Sequence, residues 1–185
     1  MRKSFGAKPI LYPQPVLIIG TYNENGVPDA MNAAWGGISE ENEISICLSE
    51  EHKTVKNILL KGAFTVSMAT ENYICECDYF GIVSANDVPN KVEIAGFHAE
   101  KSELVDAPLF RELPMALECT LISYDSESCR LVGRIVNVCA DESVLTEGKI
   151  DPSKLAPITY DGMNHRYYAL GEMVGCAFKD GRKIK

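Results

Sequence analysis

Positive charge is scarce in this 185-residue chain. Eighteen Lys and Arg stand against 26 Asp and Glu, for a formal net charge of −8. A nucleic-acid surface needs a basic stripe to neutralise phosphates, and an anionic membrane attracts the same kind of surface, so neither is an expected partner. Long apolar runs are missing too. Arg2 and Lys3 precede an apolar patch in the manner of a leader, but Pro9, Pro13 and Pro15 interrupt it, and the clean run is only Val16 to Ile19. That is too short for a signal core or a membrane span. The expected setting is the cytoplasm.

The common nucleotide and nucleophile motifs are absent as well. No Gly-x-Gly-x-x-Gly follows a strand-like segment, and no Gly-x-x-x-x-Gly-Lys-Ser/Thr occurs, which argues against a Rossmann domain and a P-loop. There is no Gly-x-Ser-x-Gly elbow. The three histidines, His52, His98 and His165, are widely spaced and form no metal-binding pair, so no metal is expected. Seven cysteines are present, an odd number, and most fall in strand-like stretches. A disulfide framework is not expected without secretion. Cys75-Glu-Cys77 has one residue between its thiols, not the two of a zinc or thioredoxin motif, and it has no second pair or His beside it. Buried or incidental thiols are the simpler reading. A Cys/His nucleophile pair meeting in space is left open, and no catalytic residue is assigned.

The composition is an ordinary globular one, 46% hydrophobic and 24% charged. The length supports one sizeable core and not two. With no repeat, linker or low-complexity segment, residues 1–185 read as one domain. Pro15–Tyr22 reads as a strand, Asn23-Glu-Asn-Gly26 as a turn and Val27–Trp35 as the returning strand of a hairpin. The small residues after Met31 read as a strand end running into a turn. Ile44–Leu48 is a third strand, and 54–61 a helix with Thr54 as its N-cap and Gly62 as its stop. Ala63–Ala69 alternates Phe64, Val66 and Met68 with Thr65 and Ser67, as a strand does. Asn72–Phe80 reads as a second helix closed by Gly81, and 82–95 as a loop followed by a short helical or turn segment. Two long strands follow, Ala116–Tyr124 and Cys129–Cys139, and 140–157 reads as a surface excursion. Strands in hairpins with short helices between them suggest a closed or nearly closed antiparallel barrel.

Within this order one stretch, Met31 to Gly62, carries candidate chemistry. His52, Lys53 and Thr54 cluster where free backbone N–H groups and the positive end of a helix dipole point, a combination that suits a phosphate. The same residues also serve as a plain helix cap with a solvated lysine. The phosphate reading gains from Asn32, Ala33 and Ala34 beside Trp35, the one tryptophan of the chain. Small residues let a flat ligand approach the backbone, and Asn32 both donates and accepts hydrogen bonds.

The chain resembles the flavin reductase-like family of FMN-binding split-barrel proteins, particularly its flavoredoxin-like branch. Tyr12-Pro-Gln-Pro-Val-Leu-Ile-Ile-Gly-Thr-Tyr22, Met31-Asn-Ala-Ala-Trp-Gly-Gly37, Ser49-Glu-Glu-His-Lys-Thr-Val-Lys-Asn-Ile58 and Asp78-Tyr-Phe-Gly-Ile-Val-Ser84 carry the resemblance. So do Lys101–Pro108 and Gly133–Ser143, and together the pieces span nearly the whole chain. The resemblance implies a mainly β fold with short helices, a split β-barrel of antiparallel Greek-key type. It implies a homodimer with one FMN per subunit near the interface. Asn32, Ala33, Ala34 and Trp35 would then line the flavin and its ribityl chain, and Ser49, His52, Lys53 and Thr54 would hold the phosphate. Ser84 and Lys91 would close the site over the cofactor, and Tyr167 and Tyr168 would approach the ring from the other subunit. The chain departs from many relatives in having Ser84-Ala85 for Ser-Gly, Asn32 for Thr, and no Arg near Ser49, which puts the phosphate charge on Lys53 and His52. The implied activity passes electrons from NAD(P)H through FMN to an unidentified small-molecule or protein acceptor. The alternative is a flavin carrier without turnover of its own.

Overall fold

The computed structural model describes residues 1–184. In chain order its elements are β1 (Leu17–Tyr22), β2 (Pro28–Ala33), β3 (Gly36–Glu40), β4 (Glu43–Cys47), α1 (Lys53–Lys61), β5 (Ala63–Met68), α2 (Ile74–Ile82) and α3 (Lys91–Ile94). Then come β6 (Ala99–Lys101), β7 (Pro108–Phe110), β8 (Met115–Asp125), β9 (Arg130–Ala140), β10 (Leu145–Thr146), β11 (Lys149–Ile150), α4 (Pro152–Leu155), β12 (Ile158–Asp161) and β13 (Arg166–Ala169). Seven strands form one antiparallel sheet in the order β2-β1-β5-β8-β9-β4-β3. With 39% strand and 20% helix, the protein is mainly β.

The two outermost strands of this sheet are consecutive in the chain, and that forces its shape. Only Ala34 and Trp35 join β2 to β3. Three residue steps reach at most roughly 11 Å. Laid flat, seven strands about 4.8 Å apart would put the edges roughly 29 Å from each other. The sheet therefore curls until its edges approach, giving an antiparallel split barrel. The Cys47 N–H donates to the Trp35 carbonyl at 2.8 Å and ties the link to β4.

The expected strand alternation holds on β5, and β1 is buried on both faces. Leu17 and Ile19 face the barrel interior with Ile44, Ile46, Phe64, Val66, Leu117 and Leu131, and Val55 and Ile58 of α1 plug its end. Val16 and Ile18 face the other way, into a second cluster with Cys77 and Phe80 of α2, Val92 of α3, Phe97, Phe110 and Ile158. Each fully buried side chain of this size contributes about 1.5–3 kcal/mol. The end of the N-terminal arm, Tyr12 to Gln14, lies along β12, where Tyr12 bonds Asp161 and Gln14 exchanges bonds with Thr159 and Tyr160. No helix among the described residues is long and apolar enough to cross a membrane.

Three expectations need correction. The small residues after Ala33 do not form a turn: Gly36 and Gly37 begin β3. A Cβ on Gly36 would lie 3.1 Å from Ile46 Cγ1 and from Leu17 Cδ1, so this glycine marks close packing at the barrel seam and not a bend. The first helix begins at Lys53, with His52 and not Thr54 at the N-cap. The second helix runs through Gly81 to Ile82. Gly81 is small because α2 presses on β2 there; its Cβ would fall 3.2 Å from Asn32 Cβ. Gly62 does stop α1, at φ 65°, with its N–H on the Ile58 carbonyl at 2.8 Å.

Candidate functional site

The start of α1 is open. His52 has an extended backbone and makes no side-chain cap bond, and no acidic residue stands in the first turn. The first N–H groups of a helix have no partner within it, and they carry the positive end of the dipole. An anion arriving here meets preformed donors. His52 is exposed and Ser49 half-buried. The Lys53 ammonium lies 3.0 Å from Glu24 Oε2, on the β1–β2 turn. A cavity of about 340 Å³ lies beside them, lined by Glu24, Asp29, Lys53, Asn57, Asn86 and Pro89 among others.

Thr54 takes a different place from the one expected. It is 2% exposed, and its hydroxyl donates to Asp29 Oδ2 at 2.6 Å. A buried carboxylate within reach offers this hydroxyl more than a free helix end does, so the Thr54 side chain is committed to Asp29. Lys91 departs further. It opens α3, it is 2% exposed, and its ammonium donates to Val83 O at 2.8 Å and Phe80 O at 3.4 Å and faces Asp29 Oδ1 at 3.4 Å. Burial pulls its pKa down, and the Asp29 charge opposes that shift. Its charge is spent inside the protein.

Ser84 lies in the segment expected to cover the site. Its Oγ accepts from Asn86 N at 3.1 Å, and Asn86 Nδ2 donates to Glu51 O at 3.1 Å. These bonds lay the loop against the start of α1. One step back in sequence, the end of α2 rests on Asn32, whose Nδ2 donates to Cys77 O at 3.0 Å. The chain thus runs from beside Asn32 to the mouth of α1 in a few residues. Asn32, Ala33 and Ala34 line a cavity of about 350 Å³ with Asp78, Gly81, Tyr160, His165 and Tyr167. Ala33 is buried and Ala34 half-buried, while Trp35 is 55% exposed and lines a further cavity under the N-terminal arm.

Part of the wall of the Asn32 cavity is polar. Tyr167 donates to Asp78 Oδ1 at 2.7 Å, and burial, then Asp78, raises its pKa. The Tyr160 hydroxyl and His165 Nδ1 are 2.9 Å apart. Tyr168, expected near the ring with Tyr167, is half-exposed and does not line this cavity. Asp78, Tyr160, His165, Asn86 and Asp29 are not assigned to the cofactor site by the sequence. Asp29 alone left a trace: it shares a strand face with Met31 and Ala33, which pack on the barrel core, so a carboxylate there breaks the alternation. The others meet only through the fold. Burial pushes the Cys77 and Cys119 thiols up to about 12, which leaves both inert near neutral pH. All seven cysteines are free. Among the described residues no group of three or more His, Cys, Asp or Glu is placed to hold a metal ion.

Comparison with known proteins gives a consistent picture. A family model described as flavin reductase like domain matches residues 10–169. The structure of flavoredoxin from Desulfovibrio vulgaris (Miyazaki F) is 36% identical, covers 98% of this chain and 100% of that one, and superimposes with a TM-score of 0.94. Flavoredoxin from Methanosarcina acetivorans is 24% identical over 100% of both chains, with a TM-score of 0.89. Nitrilotriacetate monooxygenase component B from Bacillus cereus is 23% identical, with a TM-score of 0.77 over 90% of this chain and 89% of that one. The last two show likeness of fold. An uncharacterized protein of Aeropyrum pernix is 25% identical over 114 residues, 61% of this chain and 43% of that protein's length.

Proposed function

The chain belongs to the flavin reductase-like family, and from that premise we propose that it is an FMN-dependent oxidoreductase passing electrons from NAD(P)H to a separate small-molecule or protein acceptor. The observation that carries this reading is the uncapped N-terminus of α1 with Lys53 beside it, next to a small-residue link and a cavity at Asn32–Ala34. On this reading the backbone of Lys53 and Thr54, the Lys53 ammonium, His52 and Ser49 receive the phosphate. Asn32, Ala33, Ala34 and Trp35 flank the ring system and ribityl chain, and Ser84, held by Asn86, covers them. When bound, FMN supplies the redox chemistry itself. The protein binds and orients it and excludes water, and no side chain is required as an acid or base.

The 36% identity to a flavoredoxin over nearly the whole chain supports a second reading, an electron carrier without turnover of its own. We further propose a symmetric homodimer, the commonest closed assembly; exposed Ile38, Ile122, Val136 and Val138 on β3, β8 and β9 support it. The free cysteines support a cytoplasmic setting.

The test is an absorbance spectrum of the purified protein before and after NADH or NADPH, with FMN and riboflavin titrated by fluorescence quenching. FMN should bind far better, because each charge-assisted bond to the phosphate is worth about 1.5–3 kcal/mol. Equal affinity for both flavins would refute the phosphate site. A bound flavin that neither nicotinamide reduces would leave the carrier reading. A light-scattering monomer that still holds FMN tightly would contradict the dimer.

A further inference from the structure

The segment after β13 is locally folded and undocked. Lys179 N and Asp180 N donate to Cys176 O at 3.3 and 3.1 Å, and Cys176 N donates to Asp180 Oδ2 at 2.6 Å. Gly175 makes room for that carboxylate: a Cβ there would lie 2.9 Å from it. Phe178 stands in this closed turn at φ 61°, a conformation that bulky residues avoid. Among the described residues, the hydrogen bonds of 171–184 all stay within the segment. Met173, Val174 and Phe178 are 83%, 101% and 91% exposed. A preformed turn that holds an aromatic ring out to water is built for docking, because little conformational freedom is left to lose on binding.

The rest of the chain has the opposite charge. Residues 1–169 carry 14 Lys and Arg against 24 Asp and Glu, while 170–185 carry four against two. Lys179, Arg182 and Lys183 follow Phe178 directly. A cavity of about 460 Å³ opens between β7, the start of β8 and the end of β9, and it shares no lining residue with the cavities at Asn32 and Lys53. Leu109, Phe110, Leu113, Met115 and Cys139 line it, with Glu100, Arg111 and Asp141 as its exposed charges. Arg111 is paired with Glu100, so Asp141 sets the net sign. A cavity of about 150 Å³ already holds a benzene, so an aromatic side chain and its neighbours fit here. The cavity under the N-terminal arm carries Lys8, which would repel the same cations.

We propose that the β7–β8–β9 cavity receives Phe178 from a second copy of this chain, with the cations after Phe178 on its acidic side, so that two copies exchange their tails. The turn supplies an apolar tip and positive charge, and the cavity supplies an apolar lining and negative charge. A two-fold axis makes the contact twice. The proposal does not rest on the FMN reading, and it uses a surface apart from Ile38, Ile122, Val136 and Val138, none of which lines the cavity.

The test reads alkylation of Cys176 by iodoacetamide, followed peptide by peptide by mass spectrometry. Cys176 is exposed in the single chain and lies two residues before Phe178. In the parent its alkylation should be slow, and Phe178→Ser should accelerate it about tenfold or more. Leu109→Glu, which puts a carboxylate inside the cavity of an intact tail's partner, should do the same. The two variants are then co-expressed. A Leu109→Glu chain keeps a sound tail and a Phe178→Ser chain a sound cavity, so about half of the Leu109→Glu tails should regain slow alkylation through mixed pairs. Their Cys176 peptide retains Phe178 and is told apart by mass. No recovery in the mixture would overturn the proposal, since the tail would then dock on its own chain. A parent as reactive as Phe178→Ser would overturn it too, because the tail would be undocked. So would a Leu109→Glu protein that folds and stays protected, because the seat would lie elsewhere. If Leu109→Glu does not fold, Asp141→Lys at the exposed edge takes its place in each arm, with an expected acceleration of about threefold or more at low salt.

Discussion

The barrel interior and the corner where β2, α1 and the 83–91 segment meet are equally closed to water but built of opposite materials. The interior is apolar throughout: Leu17, Ile19, Ile46, Val55, Ile58, Phe64, Val66 and Leu131 fill it. The corner holds Thr21, Asp29, Thr54, Asn57 and Lys91, five of the twelve buried polar or charged residues. Twelve such residues spread evenly over the fold would not place five at one corner. Nor is the corner fully satisfied. Asn57 Nδ2 donates to Thr21 Oγ1 at 3.1 Å, but Asn57 Oδ1 has no partner, and a buried unpaired acceptor costs about 1–3 kcal/mol. An apolar interior tolerates volume-conserving exchange; a directional network does not. Stability is concentrated in the one region, and orientation of the candidate ligands in the other.

The strongest way to separate the two regions is to remove the largest interior ring. Phe64→Ala should lower unfolding stability by about 3–5 kcal/mol, read from the denaturant midpoint. The FMN-to-riboflavin ratio of the folded fraction should stay as in the parent. A shift in that ratio would show that the interior tunes the site, and the division would fail.

Lys53→Ala works from the other side. It should weaken FMN about tenfold, or roughly 1.4 kcal/mol, and leave riboflavin and the denaturant midpoint nearly unchanged. High salt should narrow the difference as screening grows. A ratio that does not move would remove Lys53 from the phosphate ligands and leave His52 or another residue to supply the charge.

A smaller, local effect comes from a second buried carboxylate, which unlike Asp29 has no cation. Asp161 is 3% exposed and held by Tyr12, Asn164 and the amide of Met163. The Tyr12 bond, then the Asn164 bond, lowers its pKa from 3.8 to about 2. Because the folded value is the depressed one, its contribution is complete above the unfolded pKa and is lost as the pH falls from about 3.8 to about 2. The N-terminal arm should stay docked at pH 5 and become accessible to an acid protease near pH 2. Asp161→Asn should expose it at pH 5 as well. An arm equally resistant in both proteins at both pH values would show that Tyr12–Asp161 does not hold it.

The smallest expected change is at Glu24, more than half exposed and paired with Lys53. Glu24→Gln frees the ammonium and removes a negative charge, so FMN should bind about twofold more tightly, in keeping with the weakness of surface ion pairs. Weaker binding instead would mean that Glu24 aims Lys53 at the phosphate.

Much of this protein was readable from local pattern. The Asn23–Gly26 turn, the alternation of Ala63–Ala69 and the paired long strands Met115–Asp125 and Arg130–Ala140 declare an antiparallel β protein, because strand period and turn chemistry act over a few residues. Gly62 ends its helix for a local reason too. The helix start at His52–Thr54 and the small link at Ala33–Ala34 were legible as candidates for the same reason. What local pattern does not contain is which groups meet. Gly81 looked like a helix stop and is a contact with Asn32; Gly36 looked like a turn and is a seam. Thr54 and Asp29, 25 positions apart, bond only because α1 plugs the end of the barrel that β2 walls. Lys91, which the resemblance puts over the cofactor, is buried against that same carboxylate only because of how the fold closes. Short-range sterics and hydrophobic periodicity are written residue by residue, so the sequence alone specifies strands, turns and helix ends. The burial of a charge depends on which elements close over it, and that was settled by the curl of the sheet.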